Sequence, residues 1–186
     1  MVSLTSLALP ILLSAVVVFI ASSVIHMVLT YHQSDLKQLP AEADVADALR
    51  KFNIPPGDYV LPRPSSMADM RSPEFLERWK KSPKMVATFW SAESMSMGPQ
   101  LAQWFLFCVV VSLFSGYIGS RALSAGAAYL RVSQIVSTTA FIGYTLGNWP
   151  NVIWYRRSVS TAIKGTIDGL IFGLLTGGVF GWLWPH

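Results

Sequence analysis

Cysteine is almost missing from this chain. Cys108 stands alone among 186 residues, so an intrachain disulfide is impossible and cysteine usage says nothing about compartment. Histidine is nearly as sparse, at His26, His32 and His186, which leaves few nitrogens for a metal or a haem. Charge is scarce too: 13% of residues are Asp, Glu, Lys or Arg, against about 25% in ordinary globular domains. The scarcity is local, because residues 1–34, 94–120, 132–155 and 169–186 carry no charge at all. Of the 10 acids, only Asp168 lies outside residues 35–93, and of the 14 Lys and Arg, only Arg121, Arg131, Arg156, Arg157 and Lys164 do. A net charge of +4 is too small and too dispersed to suggest a nucleic-acid partner, and none is expected.

The uncharged stretches are long apolar runs flanking one charged block, the pattern of a polytopic membrane protein with a soluble insert. The last run is the most informative. Glycine recurs at Gly165, Gly169, Gly173, Gly177 and Gly181, every fourth residue, so all five share a helix face. Residues 163–183 as a helix would be about 31 Å long, close to the ~30 Å hydrocarbon thickness. In lipid, a small-residue groove lets a second backbone approach closely, so the stripe demands a partner helix, either in this chain or in a second copy.

Residues 1–34 hold one span, read as retained because the chain opens without the lysine or arginine of a signal peptide. Residues 35–93 form a small α+β insert. A helix is expected from Pro40 to Lys51, a short extended segment over Asp58–Leu61, and a second helix capped by Ser72 with Pro73 at its first position and Phe75, Leu76 and Trp79 as its apolar face. Met85–Trp90 pairs with residues 58–61 as a ribbon. So small an insert has little core and leans on the membrane or the bundle. Residues 94–186 supply three more spans, at about 101–118, 125–146 and 163–183, with a break at Gly147–Asn151 and Trp149, Trp154, Trp182 and Trp184 as interface anchors. The sum is an all-α integral membrane protein of four transmembrane helices, with the insert between the first two. Lys80, Lys81 and Lys84 beside the second span place the insert in the cytoplasm and both termini outside.

Chemistry-bearing motifs are few. There is no G-x-S-x-G, phosphate-cradling glycine loop or H-E-x-x-H, and no enzymatic reading is favoured. Lys164 and Asp168 lie four apart and stack on one helix face, with Asp168 about a turn inside the membrane boundary. Lys164, Arg156 or Arg157 neutralises it there, or the carboxylate handles an ion or proton. His26 lies at a similar depth, about 6 Å below the surface where the first helix exits. It either pairs with Asp168 as a polar site tunable near neutral pH or bonds a helix carbonyl. His26, His32 and Asp35 do not suggest a metal: six residues put the two imidazoles about 240° apart around a helix. Met67, Met70, Met85, Met95 and Met97 are read as gap-fillers rather than copper ligands. Ser133, Ser137, Thr138 and Thr139 are read as interhelical hydrogen-bonding groups. No cofactor is expected.

The segments IHMVLTYHQSD, IPPGDYVLP, MGPQLAQWFLF and IWYRRSVSTAIKGTIDGLIFGLLTGGVFGWLWP together resemble an uncharacterised family of bacterial four-helix inner-membrane proteins. The resemblance implies a bacterial inner-membrane location and transfers no catalytic residue. The expectation that follows is a non-catalytic packing or accessory subunit that self-associates or joins another membrane protein through the Gly165–Gly181 face. The alternative is a small ion- or proton-conducting protein with its polar site at Asp168, Lys164 and His26.

Overall fold

The structure is a computed structural model that describes residues 2–91 and 96–186. It divides into two units, Met1–Lys37 with Ser96–His186, and Gln38–Met95. Asp35, placed in the insert by sequence, therefore folds with the helical unit. Met95 and the expected boundary at 93/94 lie outside the described residues.

The helical unit contains α1 (Ala8–Ser23), α4 (Gly98–Ala122), α5 (Tyr129–Thr145), α6 (Trp149–Tyr155) and α7 (Val159–Trp182). Three helical stretches, Thr5–Val28, Gly98–Ala122 and Val159–Trp182, are long and apolar enough to cross a membrane. The expected third span differs. Its helix covers only Tyr129–Thr145, 17 residues and about 26 Å, because the Gly147–Asn148 sequence tightens the chain into a 3-10 turn over Leu146–Asn148. The helix then restarts as α6 with Pro150 in its first turn, where the missing N–H costs nothing.

The glycine stripe has its partner inside the chain. A Cβ built at Gly169 would run into Thr145, at Gly173 into the Ser137 carbonyl and Phe141, at Gly177 into Ser137 and the Ser133 carbonyl, and at Gly181 into Ser133 and Tyr129. Residue numbers fall on α5 as they rise on α7, so the helices run antiparallel. Ser133 Oγ donates to the Gly177 carbonyl at 2.9 Å across the seam. From Gly169 to Gly181 the face expected to receive a second copy or another protein is thus filled by α5, while a Cβ at Gly165 would meet nothing within 4 Å.

Elsewhere in the unit, Ser14 of α1 donates to Ser112 Oγ of α4 at 3.0 Å, and Phe180 of α7 covers Gly116 of α4. Of the four expected interface tryptophans, Trp154 and Trp182 are exposed. Trp149 is half-buried and donates to Thr166 Oγ1 at 3.2 Å. Trp184 departs from expectation: it is 3% exposed, because Gly119 leaves room for its ring and its Nε1 donates to the Ser124 carbonyl at 3.0 Å.

The smaller unit contains α2 (Glu42–Arg50), α3 (Pro73–Lys81) and an antiparallel ribbon of β1 (Gly57–Leu61) and β2 (Met85–Phe89) in register from Gly57 opposite Phe89 to Leu61 opposite Met85. The ribbon and the Ser72 cap match the sequence reading, with Ser72 Oγ accepting the Phe75 N–H at 3.0 Å. Helix α2 starts two residues later than expected, since Ala41 sits in the left-handed region (φ 49°) and turns the chain after Pro40. Of α3's apolar face only Phe75 is buried; Leu76 and Trp79 are exposed.

Asp69 ties the loop before α3. It accepts the Ser65 N–H at 2.7 Å, Ser65 Oγ at 3.1 Å, Ser72 Oγ at 3.2 Å and Arg78 at 3.4 Å. The Ser65 backbone bond, first among these, holds its carboxyl below the usual carboxylate range. A depressed pKa means that the loop gains stability above about pH 4, the unfolded value, and loses it as pH falls through the folded value. Asp69→Asn is expected to speed proteolysis near residues 63–72 relative to wild type at pH 7. The difference should vanish at a pH below the folded pKa, and its persistence there would remove the carboxylate's role.

Candidate functional site

Asp168 is 3% exposed, one turn along α7 from Lys164, yet the two do not pair. Each is met by the segment that follows the first helix. Helix α1 does not run on smoothly past Ser23: residues Val24–Val28 form a π turn, closed by the Leu29 N–H on the Val24 carbonyl at 3.1 Å. Leu29 is extended (φ −82°, ψ 141°), and Thr30–His32 curl into a 3-10 turn. Such π turns occur frequently at functional sites. Here the reversal lays the His32 ring on the His26 ring, centroids 4.2 Å apart and 28° from parallel. Residues 26 to 32 are not one helix, so the two imidazoles are not held 240° apart.

His32 sits between two carboxylates, with Nδ1 2.6 Å from Asp35 Oδ2 and Nε2 2.8 Å from Asp168 Oδ2. The other oxygen of Asp35 accepts from Lys164 Nζ at 2.8 Å. Lys164 also donates to the Tyr31 carbonyl at 2.7 Å and to Ser34 Oγ at 2.9 Å, pinning the turn to α7. Lys164, and after it His32, hold the Asp35 carboxyl below the usual carboxylate range.

One ligand-capable atom from each of His26, His32 and Asp168 lies within 4.8 Å of the others. Sequence depth thus placed His26 and Asp168 in one neighbourhood, but His32 is the residue that bonds Asp168. His32 and Asp35 were set aside as metal ligands, together with His26, on their helical spacing, and neither was expected at Asp168. The signal was H-x5-H-x2-D at the end of an apolar run, legible only once the helix is known to stop.

The group faces a cleft of about 1370 Å³. His26, His32 and Asp168 lie at one part of its wall, Trp104, Phe107 and Phe172 form an apolar part, and Arg156 and Arg157 line another. The arginines come from the turn between α6 and α7, where Arg156 is left-handed (φ 56°). They do not contact Asp168: the polar contacts there are His32 with both carboxylates, and Lys164 pairs with Asp35. Trp104 is held on α1 by its Nε1, which donates to Ser22 Oγ at 2.7 Å. Met67, Met70, Met85 and Met97 are all exposed, and among the described residues the metal-capable group is His26, His32 and Asp168.

Fold and site thus define a helical protein with three helices able to cross a membrane and a charged cluster beside an open cleft. No family model, curated protein or solved structure matches the chain.

Proposed function

We propose that the chain is a four-helix integral membrane protein that binds a divalent transition-metal ion at the boundary end of its bundle, through His26, His32 and Asp168. The observation that carries this reading is the setting of His32, with one ring nitrogen on Asp35 and the other directed at Asp168 beside His26. A metal-ligating histidine almost always gives its second nitrogen to a carboxylate or carbonyl, which fixes the tautomer and raises ligand basicity. Asp35 fills that part, itself held by Lys164. Two imidazoles and one carboxylate suit zinc or iron(II) in a site with an open position, and the cleft provides the opening. Bonds of about 2.0–2.2 Å place tetrahedral ligand atoms roughly 3.4 Å apart, so the ion would part His32 from Asp168 slightly and draw His26 in by side-chain rotation.

The fourth crossing is α5. What supports this is its packing against Gly169–Gly181 of α7 and its length with the turn at Leu146–Asn148, about 32 Å, close to the ~30 Å hydrocarbon thickness. Four crossings put the insert and the Arg156–Lys164 connection on one side, the cytoplasmic side by the lysines of the insert. The reading refines the ion-handling alternative. The accessory-subunit expectation relied on the Gly165–Gly181 face, of which α5 covers Gly169–Gly181.

The test is metal analysis of the full chain, extracted in detergent without chelator. About one zinc or iron per chain is expected, with cobalt(II) replacement giving the visible bands of a site with nitrogen and oxygen ligands. Metal-free protein that also leaves cobalt(II) spectra unchanged would remove the proposal.

A further inference from the structure

The cleft has a second charged part that the metal does not use. Arg156 and Arg157 line it without a carboxylate partner among the described residues, whereas Asp35 and Asp168 are already engaged by His32 and Lys164. The two guanidiniums thus present positive charge to the cleft with no carboxylate of the cluster in contact with them. A guanidinium is a planar fork that matches phosphate oxygens two at a time. The apolar wall of Trp104, Phe107 and Phe172 gives a place for hydrocarbon, and Phe107 is exposed. At about 1370 Å³ the cleft exceeds the ~300–1,000 Å³ usual for small-molecule sites. Trp154 and Tyr155, beside the arginines in sequence, are exposed, as side chains at a lipid headgroup layer are.

We infer that the cleft binds an anionic phospholipid headgroup, its phosphate between Arg156 and Arg157 and its acyl chains along the Trp104 and Phe107 wall. This rests on the membrane part of the reading above and is independent of the metal. The occupant is a lipid rather than a free phosphate compound because the basic and apolar parts belong to one cleft.

Native mass spectrometry of the full chain, released from micelles containing equal phosphatidylglycerol and phosphatidylcholine, tests it. One retained phosphatidylglycerol is expected, favoured about tenfold over phosphatidylcholine, with the preference lost in Arg156→Gln/Arg157→Gln. Both arginines are exposed, so the variant is expected to stay monodisperse. Chelator treatment should leave the adduct in place, which separates this inference from the metal. Equal retention of the two lipids, or an unchanged preference in the double variant, would overturn it. So would displacement of the adduct by millimolar inorganic phosphate, which would make the ligand a soluble phosphate. A chain that fails to enter vesicles at all would instead sink the membrane reading.

Discussion

Gly177→Val is expected to remove most of the folded protein, while Gly165→Ala, three turns earlier on the same stripe, leaves it intact. The difference comes from what each position faces. A Cβ at Gly177 would lie 2.7 Å from the Ser133 carbonyl oxygen and 2.9 Å from the Ser137 backbone nitrogen. Those are main-chain atoms and cannot rotate aside, so α5 and α7 must separate along their length. Separation also breaks the Ser133 bond to the Gly177 carbonyl, worth about 1 kcal/mol, on top of roughly 1–3 kcal/mol for overpacking. Gly165 has open space around the site of a Cβ, and alanine there gains up to about 1 kcal/mol of helix propensity. Thermal unfolding in detergent reads both variants. A cost at Gly165 as large as at Gly177 would mean that the stripe meets a second molecule at its start.

The period of four was legible in the sequence because packing of backbones through glycine is a local, repeated demand. Its partner was only half legible: Tyr129, Ser133, Ser137, Phe141 and Thr145 recur at the same period on α5 without glycine, and only the serines stood out, as interhelical hydrogen-bonding groups. The Ser72 cap and the ribbon were legible for the same local reason. The site was only half legible. Asp168, Lys164 and His26 stood out as polar groups in apolar surroundings, yet their pairing depends on where the first helix stops. Nothing between Ile25 and His32 is a glycine or proline, and the π turn, the extended Leu29 and the 3-10 turn are set by what α7 offers to Tyr31, Ser34 and Asp35. Lys164 was read against its neighbour on the helix, whereas a long side chain also reaches a loop lying over the helix.

Substitutions at His32 and Asp168 separate a binding site from a device that merely neutralises a buried charge. His32→Leu leaves the Asp168 carboxylate at 3% exposure without its partner, and breaking a buried pair from one side costs about 3–5 kcal/mol. Asp168→Leu is expected to cost much less, because His32 keeps Asp35 and no charge is stranded. Replacing both by leucine should bring stability back to near that of wild type, as apolar replacement of buried ion pairs often does. Stability alone would then follow the ordering of a plain ion pair. Metal content should not follow it: all three variants are expected to lose the ion, including the double variant that folds well, and Asp35→Asn should weaken affinity about 10–100-fold through His32 while leaving the ligand atoms in place. A double variant that keeps full metal occupancy would show that the ion sits elsewhere. Loss of the ion in a protein as stable as wild type ties the cluster to binding rather than to holding the bundle together.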